Sequence, residues 1–439
     1  MNHSRSRVDD LIDKLSEIHP KGFDLSLGRI TNLLGKLGNP HLDIPEVFHV
    51  AGTNGKGSTL AFIRSILESA GYRVHVHTSP HLVHWNERYR LAGQLVDDDT
   101  LADAIETVSE ANAGNPITIF EIMSAVMFLL FKDHKADFSL VEVGLGGRFD
   151  ATNVIPDPLV TAITPVSLDH QAYLGDTIEE IAFEKAGIIK AEIPIVVGEQ
   201  QDGAREAIER VAEEKSAPIK ISGQDFDAYR DATGFVFQDD QGLLDLSLPK
   251  LAGDHQLGNA ALAIAAIRAA GLVVSDHAYS KGMSNVVWPG RFERLADGII
   301  TRQFGSHANI WIDGGHNPDA GRAIAAEFKR QIGDKNKPTL LVTGMINTKE
   351  PLGYFQPFKE LDARVITVPV AMSDAGIPPN ELAEIAGHAG LDAINSQSLE
   401  DGLEKAYRFS VDQGAVNLLF CGSLYLVGEI LAFNGTPPQ

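Results

Sequence analysis

Nine consecutive residues, Ala51-Gly52-Thr53-Asn54-Gly55-Lys56-Gly57-Ser58-Thr59, carry the sharpest chemical signal in the chain. They lie between a β-branched run, VFHVAG (47–52), and a stretch in which Leu60, Ile63 and Leu67 repeat at helical spacing. Glycines let backbone N–H groups converge on a phosphate, the helix start adds its positive end, and Lys56 adds a full charge. Ser58 is placed to reach a magnesium ion. The spelling departs from the strict Walker loop: position 50 is not glycine, and Gly57 separates the lysine from the serine. The bland alternative is a glycine-rich turn with a solvated lysine; the strand–turn–helix context favours phosphate.

Three further residues sit where strands end. Ser79 closes YRVHVHTS (72–79), Glu142 lies in the otherwise apolar run SLVEVGL, and His170 follows Asp169 beyond another strand. A carboxylate in Glu142's setting must be paired or metal-bound to tolerate burial. Ligands of parallel α/β sheets gather outside the carboxyl ends of the strands, so these residues are candidates to converge. Each taken alone has a structural reading: Ser79 as a helix cap, His170 as a loop histidine. Were a magnesium ion held there, its preference for oxygen ligands means that the histidine could act through a bound water. Lys185, beside Glu184, reads as an ion-paired helix lysine. His75, His77, His81 and His84 look like a metal cluster, yet strand alternation explains them and no open zinc spacing is evident.

Positioning these residues requires a scaffold, and from residue 47 onward short apolar runs alternate with helical periodicity. That rhythm predicts an α/β protein, with a phosphate-loop domain built on a doubly wound, mostly parallel sheet. A small antiparallel addition is expected over 224–250, where the pattern breaks into short alternation with turns. A second α/β series, from NIWIDGG near residue 309 to VNLLFCG, predicts a smaller Rossmann-like domain. The boundary is expected near 295, giving domains 1–295 and 296–439, with ligand sites favoured in the cleft between them.

The 439 residues include 37 Lys+Arg against 59 Asp+Glu, a formal charge of −22. So acidic a surface repels phosphate backbones and anionic lipid, which argues against nucleic-acid or membrane partners. One cysteine, Cys421, excludes an intramolecular disulfide and a thiolate zinc cluster. The first twenty residues lack an apolar leader core, and the longest apolar run, Ile122–Phe131, is too short to span a bilayer. The expectation is a soluble, cytoplasmic chain.

The spelling GTNGKGS resembles the folylpolyglutamate synthase/dihydrofolate synthase family, relatives of the Mur peptide ligases. The resemblance continues in order through TSPHL (78–82), NER (86–88), EVGLGGRFDATN (142–153), LDH…LG (168–175), FEKAGIIK (183–190), HQLGNA (255–260), WPGRFE (288–293) and DGGHNP (313–318). Gly315 stands where the family usually has alanine, a small-for-small change. The resemblance implies ATP as phosphoryl donor, bound by Thr53, Asn54, Gly55, Lys56, Gly57, Ser58, Asn259, Arg291, Asp313 and His316. Arg291 suits a fork donor to phosphate and Asp313 an acceptor from ribose hydroxyls. It implies two magnesium ions held by Ser58, Ser79, Glu142, His170 and Lys185, the lysine as a carbamate, with a monovalent cation as a further candidate. Carbamate formation needs a neutral amine, so burial must depress the pKa of Lys185. Lys56, Lys185 and His170 are the implied catalytic residues.

The family pattern points to Leu25, Gly28, Arg88, Thr118, Phe120, Glu121, Phe149, Asp150 and Ala151 for the pterin substrate, although Phe120 at helical spacing is by default a core residue. The implied activity is ADP-forming addition of L-glutamate to dihydropteroate, to a reduced folate, or to both, by a monomer. A Mur-type ligase acting on a muramyl peptide and an ATPase switch protein are the rivals. TSPHL, LGGRFDATN and FEKAGIIK favour the folate branch.

Overall fold

The computed structural model describes residues 6–18, 26–231, 234–332, 337–347 and 349–439. The chain divides into two compact units, Met1–Lys250 with Leu257–Val287, and Leu251–Gln256 with Trp288–Gln439. Glu293 and Arg294 pair antiparallel with Ile312 and Trp311, so the segment before residue 295 joins the second unit's sheet. The helix His255–Ala269 begins in the second unit and continues in the first.

In the first unit the described strands form an eight-stranded sheet. Its order is Gln94–Leu95, Tyr89–Leu91, Val74–His77, Phe138–Glu142, Glu46–Ala51, Val160–Ile163, Ile195–Val197, Ile219–Ile221. Tyr89–Leu91 pairs antiparallel with both of its neighbours, and the six strands from Val74–His77 onward are parallel. Glu46–Ala51 is central and buried after its first residue, as a strand covered on both faces must be. Register aligns the strand ends: Val50 lies opposite Glu142, His77 opposite Val141, and Ala51 opposite Ile163. Four consecutive parallel strands thus deliver their outgoing loops at one level.

The helix Lys56–Ser69 follows the central strand and is buried along most of its length. It packs on Asp276–Asn285 at Gly282, where a Cβ would stand 2.8 Å from Ile66 Cα and 2.9 Å from Ile66 N. The apolar clusters of this unit include one around Phe128, Phe131 and Tyr89 and one around Ile181, Ile195 and Ile208. The expected antiparallel addition is the three-stranded sheet Phe226–Arg230, Phe235–Asp239, Gly242–Leu246.

The second unit has a six-stranded sheet in the order Glu293–Arg294, Ala308–Ile312, Val416–Cys421, Thr339–Thr343, Arg364–Thr367, Asp392–Asn395. All but the first are parallel, over a core that includes Trp311, Phe328, Tyr354 and Phe358. Among the described residues no helix is long and apolar enough to cross a membrane.

Gly282→Ala should destabilise the first unit by about 1–3 kcal/mol, because the methyl meets backbone that cannot rotate away. Calorimetry would register a lower melting temperature; an unchanged transition would mean that the two helices can separate at no cost.

Candidate active site

The phosphate loop owes its path to two glycines. Gly52 adopts φ +142°, and a Cβ there would lie 1.8 Å from Thr164 Oγ1. Gly55 adopts φ +94°, and its Cβ would lie 2.3 Å from Asn259 Oδ1. Both positions combine a left-handed backbone with no space for a side chain. The loop is pinned to the segment after Val160–Ile163. Thr53 N and Asn54 N both donate to Pro165 O, at 3.1 and 3.3 Å, while Thr53 Oγ1 donates to Ser167 O and accepts from Ser167 N, both at 3.1 Å. The amides of Thr53 and Asn54 are therefore engaged inside the protein. Gly55, the N-cap, offers no side-chain cap, and Thr59 N is the amide that bonds Gly55 O. The preceding amides of the helix end are the donors a phosphate can reach.

Two lysines meet at one carbonyl. Lys56 Nζ donates to Gly52 O at 3.2 Å and to Thr53 O at 3.3 Å; Lys185 Nζ, buried, donates to the same Gly52 O at 3.0 Å. Glu142 lies alongside, with Oε1 3.9 Å from Lys56 Nζ and Oε2 accepting from Ser79 N at 3.2 Å. Glu142 is buried, as a carboxylate must be to act strongly on its neighbours, and its partners include a cation and an amide. Ser58 is buried in the first turn of the helix. His170 adopts φ 54° beyond the pinned segment, its N–H donating to Asp169 Oδ1 at 2.8 Å. Lys56, Ser79, Glu142 and Lys185 are thus linked contact by contact, and Thr53–Ser167 brings His170's loop to the same glycine turn.

Asn259 closes on Gly55 within the first unit. Within the second, Asp313 is buried at a strand end, accepting from Phe292 N at 2.8 Å and Gly315 N at 2.6 Å. Burial pushes its carboxyl upward, against the opposing pull of Arg291. Arg291 donates to Gly290 O, and His316 Nδ1 donates to Gly314 O at 2.9 Å.

The acceptor candidates fall into two groups. Thr118 and Glu121 form a capping box at the start of Ile119–Asp133, and Glu121 Oε2 also accepts from Arg29 Nε at 3.2 Å. Gly28, exposed, opens the helix that carries Arg29; Leu25 lies outside the described residues. Phe120 lies against Gly144, whose Cβ would meet its ring at 2.2 Å. Asp150 turns its carboxylate toward the backbone of its own loop. It is buried, and its two oxygens accept from Gly144 N, Leu145 N, Thr152 N and Thr152 Oγ1. Ala151 is buried in the turn that follows. Phe149, beneath Arg148, walls an open cleft of about 340 Å³ with Tyr173 and Phe183. Arg88 donates to His81 Nδ1 at 2.8 Å and lies over Trp85. His75 contacts His134 O and accepts from Ala92 N, while His77 bonds Arg88 O. Burial drives His77 down to about 3 and His81 to about 2, so both are neutral hydrogen-bonding groups at neutral pH.

Residues 50–267 match the Mur ligase middle domain family. The chain is 35% identical to the dihydrofolate synthase/folylpolyglutamate synthase of Bacillus subtilis, covering 95% of this chain and 97% of that one. It belongs to the folylpolyglutamate synthase/dihydrofolate synthase family. Its structure is similar to that of Escherichia coli FolC in complex with DHPP and ADP, with a TM-score of 0.86, 32% identity and coverage of 98% and 97%. A bifunctional folylpolyglutamate synthase/dihydrofolate synthase with Mn, AMPPNP and L-glutamate bound matches with a TM-score of 0.84, 29% identity and coverage of 98% of each chain.

Two features of this family member are invisible to motif reading. Gly52 O, the oxygen both lysines share, is a backbone atom with no letter of its own. Glu87 accepts from Leu82 N, Val83 N and His84 N, so the acidic residue of NER organises the loop after Ser79. At Gly315, a Cβ would come within 2.6 Å of Ile324 Cδ1 and 2.8 Å of Ala320 Cβ, so alanine is not a neutral exchange here.

Lys56→Ala should leave the fold intact, since the lysine bonds only loop carbonyls and one carboxylate. It should lower ATP-dependent turnover by about 10²–10³, the scale for one preorganised charge donor. Steady-state ADP release measures this, and near-normal turnover would remove Lys56 from phosphate binding.

Proposed function

We propose that this chain is an ATP-dependent, ADP-forming ligase that joins L-glutamate to the carboxylate of dihydropteroate, of a reduced folate, or of both in turn. The observation that carries the reading is the meeting of Lys56, Lys185, Glu142 and Ser79 around one glycine turn at a helix N-terminus. A carboxylate does not react with an amine directly, because oxide would have to leave. The acceptor carboxylate instead attacks the γ-phosphorus of ATP, breaking its bond to the bridging oxygen and releasing ADP. The amine of glutamate then attacks the acyl phosphate, and phosphate departs as the amide forms and the amine sheds its proton. Positioning and electrostatics do most of the work in such a transfer. Lys56 and the free amides of the helix end hold the transferring phosphoryl group in place.

Ser58, Ser79, Glu142 and His170 are the proposed magnesium ligands. The buried Glu142 carboxylate beside the phosphate loop provides the hard oxygen donor that this ion prefers. Bound there, magnesium neutralises phosphate charge. The nucleotide is assigned Thr53, Asn54, Gly55, Lys56, Gly57, Ser58, Asn259, Arg291, Asp313 and His316, with Thr53 and Asn54 acting through side chain and loop shape. Gly28, Arg88, Phe120, Glu121, Phe149 and Ala151 are assigned to the pterin acceptor. A monomer working in the cytoplasm completes the reading.

Lys185 is proposed to work as a carbamate. Its ammonium and that of Lys56 approach one oxygen along bonds of 3.0 and 3.2 Å, so two like charges are crowded in a buried place. A neutral amine adding to CO2, with loss of a proton, exchanges that repulsion for an anion able to hold a metal. Lys185→Ala should then abolish most activity, with partial rescue by a small carboxylic acid. Lys185→Arg should be no better, since it keeps charge but cannot add CO2. High activity in Lys185→Arg would remove the carbamate.

The activity itself is tested by coupled ADP release with dihydropteroate and tetrahydrofolate offered separately, each with and without glutamate. Turnover should require acceptor and glutamate together; ATP hydrolysis indifferent to both would make the chain a nucleotide switch.

A further inference from the structure

Behind the phosphate loop a buried polar chain runs from the central strand to the acceptor side. His49, in the middle of Glu46–Ala51 and fully buried, contacts Thr152 Oγ1 through Nε2 at 2.9 Å. Thr152 Oγ1 contacts Asp150 Oδ1 at 2.5 Å. Asp150 also meets three backbone donors: Thr152 N at 3.0 Å on Oδ1, and Gly144 N at 3.0 Å and Leu145 N at 2.9 Å on Oδ2.

Hydrogen counting orients this chain. Burial pushes the Asp150 carboxyl upward, and three backbone amides, which can only donate, together with the Thr152 hydroxyl pull the other way and favour its charged, accepting form. A threonine hydroxyl has one hydrogen, and Thr152 gives it to Asp150. At the contact with His49 the hydroxyl oxygen must therefore accept, which makes His49 the Nε2–H tautomer. Its Nδ1 is buried with no hydrogen-bond partner. Burial lowers the imidazole to about 3, so the ring is neutral and has a single N–H to give at neutral pH. Every hydrogen in the chain points toward Asp150.

We propose that His49 and Thr152 are positioning residues for the acceptor, acting through Asp150 on the loop Gly144–Asp150; the proposal rests on the ligase reading above. That loop leaves the strand two residues after Glu142, presses Gly144 on Phe120, and carries Phe149 into the open cleft. Asp150 ties the loop's first residues to its last, and Thr152 and His49 tie Asp150 to the central strand. The strand does not depend on this tie, because ladders hold it on both sides. Loss of the tie therefore frees the acceptor loop and leaves the phosphate loop in place.

Thr152→Val keeps the shape and removes the hydroxyl; Thr152→Ser keeps the hydroxyl. Thr152→Val should raise KM for dihydropteroate by about tenfold or more, the worth of one hydrogen bond to a charged group, with KM for ATP within about twofold. Thr152→Ser should restore both constants. Asp150→Asn, which turns one acceptor oxygen into a donor facing amide N–H groups, gives the same split and serves if Thr152→Val does not fold. A second readout is independent of turnover: in histidine-labelled protein, ¹⁵N NMR should show a slowly exchanging Nε2–H resonance, assigned to His49 by its loss in His49→Gln and distinct from that of His75, in wild type and Thr152→Ser. It should be absent or fast-exchanging in Thr152→Val. A lower melting temperature with unchanged KM values, an equal rise in both KM values, or a serine variant as impaired as valine would overturn the positioning role. Wild type inert toward both pteridine acceptors would instead refute the ligase reading, and the imidazole resonance would still decide whether the chain of hydrogens exists.

Discussion

Lys56 and Lys185 come from distant parts of the sequence, yet both are drawn to the carbonyl oxygen of Gly52, and that oxygen faces them because the backbone turns at φ +142°. A side chain at this residue would collide with Thr164, so the carbonyl's direction is set by the absence of a single carbon atom. Much of the site follows from that. Lys56 curls back over the loop, coming within 3.9 Å of Glu142, and Glu142 in turn holds Ser79 N. The loop's own amides are sorted by the same turn, with Thr53 and Asn54 given to Pro165 and the helix end kept free for an anion.

The sheet explains why these contacts are made at all. Parallel strands in register finish together, and four adjacent ones release Ser79, Glu142, the phosphate loop and the segment leading to His170 at the same edge. Charge would be costly in the apolar layers on either side of such a sheet, whereas at the edge it finds amides and opposite charge. The net acidity of the chain is then no obstacle to a polyanionic substrate, because cationic groups are concentrated where the strands stop.

The strand–helix rhythm made the α/β class and the phosphate loop legible from sequence, since buried parallel strands and a glycine-rich turn leave marks in residue type. Glu142 was legible for a related reason: a carboxylate in an apolar run demands an explanation. What escaped was whatever depends on direction. Asp150 reads as a polar residue in a glycine-rich loop, and its letter does not say that all its bonds turn inward. Asn54 and Thr53 belong to the motif, but their amides point away from the helix end. The passage between units was hard to read because Trp288–Leu295 combines short strand pairing with loop, and the excursion Leu251–Gln256 is too brief to carry a period.

That excursion has a consequence for synthesis. Ala252 packs into the core of the second unit, so a chain that has left the ribosome as far as Val287 holds the whole first unit and also a six-residue strip with nothing yet to pack on. Helix His255–Ala269 must begin at that strip and end in a finished core. The vectorial order of translation therefore leaves the start of this helix as the last part of the earlier unit to acquire its neighbours, and a cut at the unit boundary would strand the same strip in the wrong fragment.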